Sequence, residues 1–230
     1  MLDHLTIINQ SLKSIYILVL AVFLALLISI SPTNAKYASI VIDAKTGNIL
    51  HNTNGDTRNY PASLTKMMTL YLLFEKVKMG DLSLTSKLKI SHRASRQPAS
   101  RLGLKTGQTI SVHNAILALV TKSANDVATT IGENIGGTER KFALLMTAKA
   151  RDLGMRRTTF RNASGLPHRG QLSTARDMAT LARALILDHP NFYAYFSTKG
   201  FKYDGRTHKN HNKLLTTYVG TDGIKTGYIR

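Results

Sequence analysis

Three short motifs in this chain combine residue types able to carry out acyl transfer. Ser63-Leu64-Thr65-Lys66 sets an amine three residues after a hydroxyl, Ser123-Ala124-Asn125 sets an amide beside a second hydroxyl, and Lys225-Thr226-Gly227 joins a cation, a hydroxyl and a residue without a side chain. A serine hydroxyl is a weak nucleophile until a neighbour takes its proton. Positions i and i+3 share a helix face, so Lys66 can approach Ser63. Burial near other cations would favour the neutral amine, which is the base. A helix start also aims backbone N–H groups at developing negative charge. Ser123 is placed to relay a proton to a leaving group. Asn125 offers a donor and an acceptor for holding a peptide backbone. Lys225 and Thr226 suit a substrate carboxylate, and Gly227 leaves room beside an extended strand that could pair with a peptide.

Each motif alone is weak. Ser86 to Lys89 repeats the Ser-x-x-Lys spacing, and Lys-Thr-Gly recurs at Lys45 to Gly47 and Lys105 to Gly107. The first triplet reads as a hairpin turn and the second as loop, while Ser86 lacks a following apolar helix. What distinguishes the chosen set is its order: a helix start, a turn between helices, then a final strand.

The elements needed to position these residues are legible. Ala38 to Asp43 and Ile49 to Asn52 read as a hairpin turning at Gly47. Ser63 to Lys78 reads as a helix whose apolar residues wrap most of its circumference, hence a buried one. Helices are expected over Ser111 to Thr121, Val127 to Ile135, Thr138 to Leu153 (capped by Thr138) and Ser173 to Leu187. Ser91 to Gly107 and Asn162 to Gln171 read as loops, and Gly200 to Asp204 and Asp222 to Ile229 as strands. Strands first and last with helices between indicate an α+β fold, its antiparallel sheet drawn from both chain ends beside a helical lobe. Glu75 reads as a helix-surface charge and Asp126 as a helix-start residue. His208 and His211 read as loop or surface residues; His168 falls in the 162–171 loop.

Composition narrows the chemistry. The absence of cysteine excludes disulfides, thiolate nucleophiles and Cys-based zinc sites. The eight histidines form no ligand motif, so neither a metal nor another cofactor is expected. The net charge of +18 suits an anionic envelope surface; the basic residues are scattered and no nucleic-acid motif accompanies them, so nucleic acid is not an expected partner. Lys13, an apolar run from Ile15 to Ile30 and a polar stretch ending in Ala35 have the layout of a secretory signal peptide. Residues 1–35 are therefore expected to be that signal, cleaved after Ala35 to export residues 36–230 to the periplasm or envelope.

The ordered motifs resemble those of the active-site serine penicillin-recognising enzymes. Their flanks, Pro61 to Thr69, Lys122 to Asp126, Asp222 to Tyr228, Asn162 to Pro167 and Asn210 to Asn212, are similar to low-molecular-mass penicillin-binding proteins of the serine D-alanyl-D-alanine carboxypeptidase family. The resemblance implies a β-lactamase/DD-peptidase-like fold, peptidoglycan stem peptides as substrates and β-lactam antibiotics as acylating inhibitors. It implies Ser63 as nucleophile, Lys66 as base, Ser123 as the third catalytic residue, and Asn125, Lys225, Thr226, Gly227 and Tyr228 on the substrate. The backbone N–H groups of Ser63 and Tyr228 would form the oxyanion site. In the family two further strands and a closing helix follow the last motif, so a sheet missing its last strands, low stability and weak turnover are expected of these 230 residues. A D,D-endopeptidase shares the same site, and a non-catalytic envelope-binding protein is the non-enzymatic alternative. A class A β-lactamase would need a carboxylate to activate water; the only glutamates between Asn125 and Lys225, Glu133 and Glu139, lack the expected Glu-x-x-Leu-Asn setting.

Overall fold

The computed structural model describes residues 37–228 and Val19; the signal-peptide segment lies otherwise outside the described residues. The first hairpin forms as expected, β1 (Ser39–Ile42) pairing antiparallel with β2 (Ile49–Thr53). A 3-10 turn, Ala62–Leu64, leads into α1 (Thr65–Lys78). Every residue of α1 from Thr65 to Phe74 is buried, as its nearly continuous apolar surface requires. It is the axis of the molecule.

Around it stand α3 (Val112–Thr121), α4 (Asn125–Gly136), α5 (Glu139–Asp152) and α6 (Ala175–Asp188), each packing against α1. Their starts follow from side-chain capping: Ser111, Thr138 and Thr174 accept from the N–H of the third residue on, at 3.2, 3.2 and 3.0 Å. The stretch before α3 holds more than the expected loop. It contains the short helix α2 (His92–Ser95), and strands β3 (Lys87–Lys89) and β4 (Thr109–Ser111) pair across it. After α6 come a short helix α7 (Pro190–Tyr193), the hairpin β5 (Gly200–Tyr203) with β6 (Arg206–Lys209), and α8 (Leu214–Thr217).

The α+β class holds, but two expectations about its strands do not. The strands form three separate two-stranded antiparallel sheets rather than one sheet built from both chain ends. The strand expected over Asp222 to Ile229 is absent from its described part, residues 222–228. Its β-like composition meets no partner backbone there, and side chains hold it instead. Asn212 Nδ2 donates to the Gly223 carbonyl at 2.8 Å, and Tyr193 Oη donates to Asp222 Oδ1 at 3.1 Å.

Two buried acids fasten loops to the helices. Asp126 is no ordinary helix-start residue: it is fully buried, and its carboxylate accepts the N–H groups of Leu102, Gly103 and Leu104 at 2.9, 2.8 and 3.1 Å. It thereby ties the 98–104 segment to the start of α4. Glu139 pairs with Arg93 at 2.7 Å and accepts from Thr129 Oγ1 and the Ala163 N–H at 3.2 Å each. Glu75 pairs with Lys149 at 2.8 Å. Replacing Asp126 with alanine strands three buried donors, so urea unfolding should show a loss of about 3 kcal/mol. A loss below about 1 kcal/mol would show that the loop finds other partners.

Candidate active site

Ser63 sits at the mouth of a cleft of about 370 Å³ that Ser123, Asn125, Ser164, His211, Thr226, Gly227 and Tyr228 also line. Its position is forced from behind. Ala62 adopts a left-handed φ of 46°, unusual for a residue with a Cβ, and begins the tight turn that presents Ser63. Gly165, at φ 88°, lies against that turn. A Cβ on Gly165 would collide with the Ala62 carbonyl and stand 3.0 Å from Ser63 N, so only glycine permits this approach.

Lys66 is completely buried and has no ion-pair partner among the described residues. Its Nζ lies 2.8 Å from Asn125 Oδ1, 2.5 Å from the Ser164 carbonyl oxygen and 3.2 Å from Ser63 Oγ. Burial first, and then the neighbouring Lys225 cation, hold its pKa well below the usual lysine range, with Asp126 opposing. A neutral amine has two N–H donors and one lone pair. The amide and carbonyl oxygens only accept, so they take the two donors. With the amine neutral, Ser63 is the neighbour with a proton to give, and its Oγ at 3.2 Å is left for the lone pair.

The Ser164 carbonyl is fixed by a pinned loop. Thr69 Oγ1 donates to the Ala163 carbonyl at 2.7 Å, and Glu139 holds the Ala163 N–H. Asn162 Oδ1 accepts from the Gly165 N–H at 2.7 Å, and Gln171, also buried, accepts from the N–H groups of Arg161 and Asn162 at 2.9 and 3.0 Å.

Asn125 lines the cleft, yet its amide is occupied on both sides: Oδ1 accepts from Lys66, and Nδ2 donates to the Pro98 and Ala99 carbonyls at 3.0 and 3.2 Å. In this structure the amide thus faces the lysine and two backbone carbonyls. Ser123, at φ 57°, is buried and its Oγ has no hydrogen-bond partner. A buried unpaired hydroxyl at a cleft wall leaves a bond for an incoming group.

The third motif reaches the cleft without a strand to carry it. Lys225 Nζ donates to the Thr226 carbonyl at 3.1 Å, and burial pulls its pKa down to about 8. Gly227 is not beside open space. A Cβ there would be in ordinary contact, 3.5 Å from both Leu64 Cγ and the Pro61 carbonyl, so the segment lies on the nucleophile's own turn. Tyr228 is largely exposed at the rim.

His211 was not singled out for the site. It lines the cleft, its backbone N–H donates to the Thr121 carbonyl at 3.2 Å, and burial followed by Lys225, Lys122 and Lys66 lowers its pKa, keeping the ring neutral. Its signal was the Asn210-His211-Asn212 segment, where two side-chain amides bond Thr198 and Gly223 and so fix the histidine between them. His208 lies in β6, outside the cleft.

A family model described as D-alanyl-D-alanine carboxypeptidase matches residues 29–230. The chain belongs to that family. D-alanyl-D-alanine carboxypeptidase DacF of Bacillus subtilis is 33% identical over 196 residues, which are 83% of this chain and 50% of the relative. The chain thus spans about half the length of the curated relatives it matches. The carboxypeptidase-family fold is equally clear in three dimensions. Penicillin binding protein 5 from Haemophilus influenzae superposes with a TM-score of 0.81 at 32% identity, over 86% of this chain and 59% of that one. Penicillin-Binding Protein D2 from Listeria monocytogenes, solved in an ampicillin-bound form, gives 0.76 at 34% identity, over 86% and 82%.

The contact of Gly165 with Ala62 yields a direct test. Gly165→Ala must push the serine turn outward, and a displacement of that order costs about 100-fold in a reaction that depends on alignment. The rate of Ser63 acylation by a penicillin should fall by that factor while circular dichroism stays unchanged; an unaltered rate would show that the loop yields without moving the serine.

Proposed function

We propose that this chain is the catalytic part of a serine D-alanyl-D-alanine carboxypeptidase that removes the terminal D-alanine of peptidoglycan stem peptides. The observation that carries this reading is the buried Lys66 amine, its Nζ 2.8 Å from the Asn125 amide oxygen, 2.5 Å from the Ser164 carbonyl oxygen and 3.2 Å from Ser63 Oγ. Ser63 Oγ attacks the carbonyl carbon between the two D-alanines, and its proton passes to Lys66. Negative charge on the carbonyl oxygen faces the N–H groups of Ser63 and Tyr228. As the C–N bond breaks, Ser123 passes its proton to the departing amine and takes in its place the one Lys66 received from Ser63, which uses the hydroxyl's unfilled hydrogen-bonding capacity and returns the lysine to its neutral form. Lys225 and Thr226 hold the terminal carboxylate, and Asn125 keeps the base aimed. Water then hydrolyses the ester and frees Ser63. No carboxylate lines the cleft among the described residues, and Glu133 and Glu139 are engaged with Ser91 and Arg93, so a glutamate-activated deacylating water has no candidate here.

Penicillins would acylate the same serine, as the ampicillin-bound Listeria neighbour makes natural for the family. Residues 1–35 act as an export signal and residues 36–230 as the catalytic domain at the envelope, on the strength of Lys13, the apolar run and Ala35. No helix among the described residues is long and apolar enough to cross a membrane.

Intact mass should show one penicillin adduct on the wild-type chain and none on Ser63→Ala; an adduct on the variant would remove Ser63 from the mechanism. Lys66→Arg, which stays protonated, should slow acylation by at least about 100-fold.

The pH profile follows from the two lysines. Rate rises as Lys66 loses its proton and falls as Lys225 loses the charge that holds the carboxylate, around pH 8. The Lys225 cation lowers the Lys66 pKa, so Lys225→Gln should move the rising limb to higher pH, abolish the falling limb and weaken peptide binding. A rising limb that stays in place would show that burial alone sets the base.

A further inference from the structure

Beside the serine cleft lies a second cavity, of about 740 Å³ against about 370 Å³. The two are continuous: Ala62, Ala99, Gly165, Leu166, Pro167 and Tyr228 line both. The residues that would handle the leaving D-alanine, Ser123 and Thr226, line only the cleft. The annex therefore opens on the other side of the scissile bond, and it is larger than a terminal dipeptide needs.

Its walls have a definite chemistry. Tyr60, Pro61, Leu166, Pro167 and Tyr228 supply apolar and aromatic surface, while His168 and Arg169 supply cationic and donor groups at one edge. No aspartate or glutamate lines it, and Arg169 is exposed without an ion pair among the described residues. The edge is held in place. Gln171 donates its N–H to the His168 carbonyl at 2.9 Å, its side chain grips the Arg161 and Asn162 N–H groups, and His168 Nδ1 accepts the Gly170 N–H at 3.0 Å. An exposed guanidinium on a pinned backbone, beside an apolar trough, suits an extended peptide bearing a carboxylate.

We infer that this annex is the acyl-side subsite, and that Arg169 makes the enzyme favour stem peptides with a free side-chain carboxylate upstream of the scissile bond over the same peptides amidated there. The inference rests on the proposed carboxypeptidase reading and adds a substrate preference to it. Lys225 and Thr226 account for one carboxylate, at the peptide terminus. Arg169 accounts for a second one, which a D-alanyl-D-alanine dipeptide does not possess.

Equilibrium binding tests this without turnover. Two acetylated tripeptides ending in D-alanyl-D-alanine, differing only in whether the first residue's side chain ends in a carboxylate or its primary amide, are titrated into the full chain carrying Ser63→Ala. The acid should bind about three- to fivefold more tightly at low ionic strength, the scale of one exposed charge pair. Adding Arg169→Gln should erase the difference. Adding Arg140→Gln, which removes the same charge from the exposed surface of α5, should keep it. Equal affinities, a preference that survives loss of Arg169, or no binding of either peptide would each overturn the assignment. Penicillin adduct formation on the parent chain scores the chemistry separately. An adduct without acid preference sinks the subsite alone, and acid preference without an adduct sinks the acyl-enzyme alone.

Discussion

The site depends on burying an ammonium-forming side chain with no acid to meet it. Desolvating a lysine is costly when it stays charged, and the usual remedy is a carboxylate partner. Here the partners of Lys66 are an amide oxygen, a carbonyl oxygen and the serine hydroxyl, and the neighbouring charge is another lysine. Burial, and then the Lys225 cation, push the side chain toward its neutral form. Basicity toward Ser63 is therefore a result of the fold's packing, since an ion pair at this point would have stabilised the charge and idled the base.

Much of the remaining architecture keeps that environment in place. The helix that carries Lys66 is wrapped by four others, so water is excluded along its first turns. The acids that are buried have been given other work: Asp126 holds the 98–104 segment and Glu139 holds Arg93 and Ala163. Each loop so fixed delivers an acceptor to the lysine or its orienting amide, Ser164 from one side and Pro98 and Ala99 from the other. Acids near the site thus build its walls by binding backbone N–H groups and stay off the base.

The sequence made the Ser63–Lys66 pairing and the helical frame legible because each leaves a local trace: a Ser-x-x-Lys ahead of an apolar run, and Ser or Thr caps at Ser111, Thr138 and Thr174. It misled where the outcome depends on a distant partner. The 222–228 segment is β-like in composition, but a strand exists only against another backbone. Asp126 looked like a helix-start charge because the loop N–H groups it binds are more than twenty positions away and have no side-chain signature. The β3–β4 pair flanks the 91–107 stretch and went unread because each strand is only three residues long.

The double engagement of Asn125 also bears on how such a site could be lost. Its oxygen faces Lys66 and its nitrogen faces two carbonyls. Exchanging that amide for a carboxylate alters a single heavy atom and hardly any volume. It would hand the buried lysine the counter-ion it lacks, hold its proton in place, and set an anion against the Pro98 and Ala99 oxygens. On the proposed mechanism, a chain able to acylate and an inert one of nearly the same shape would thus differ by one nitrogen-to-oxygen change.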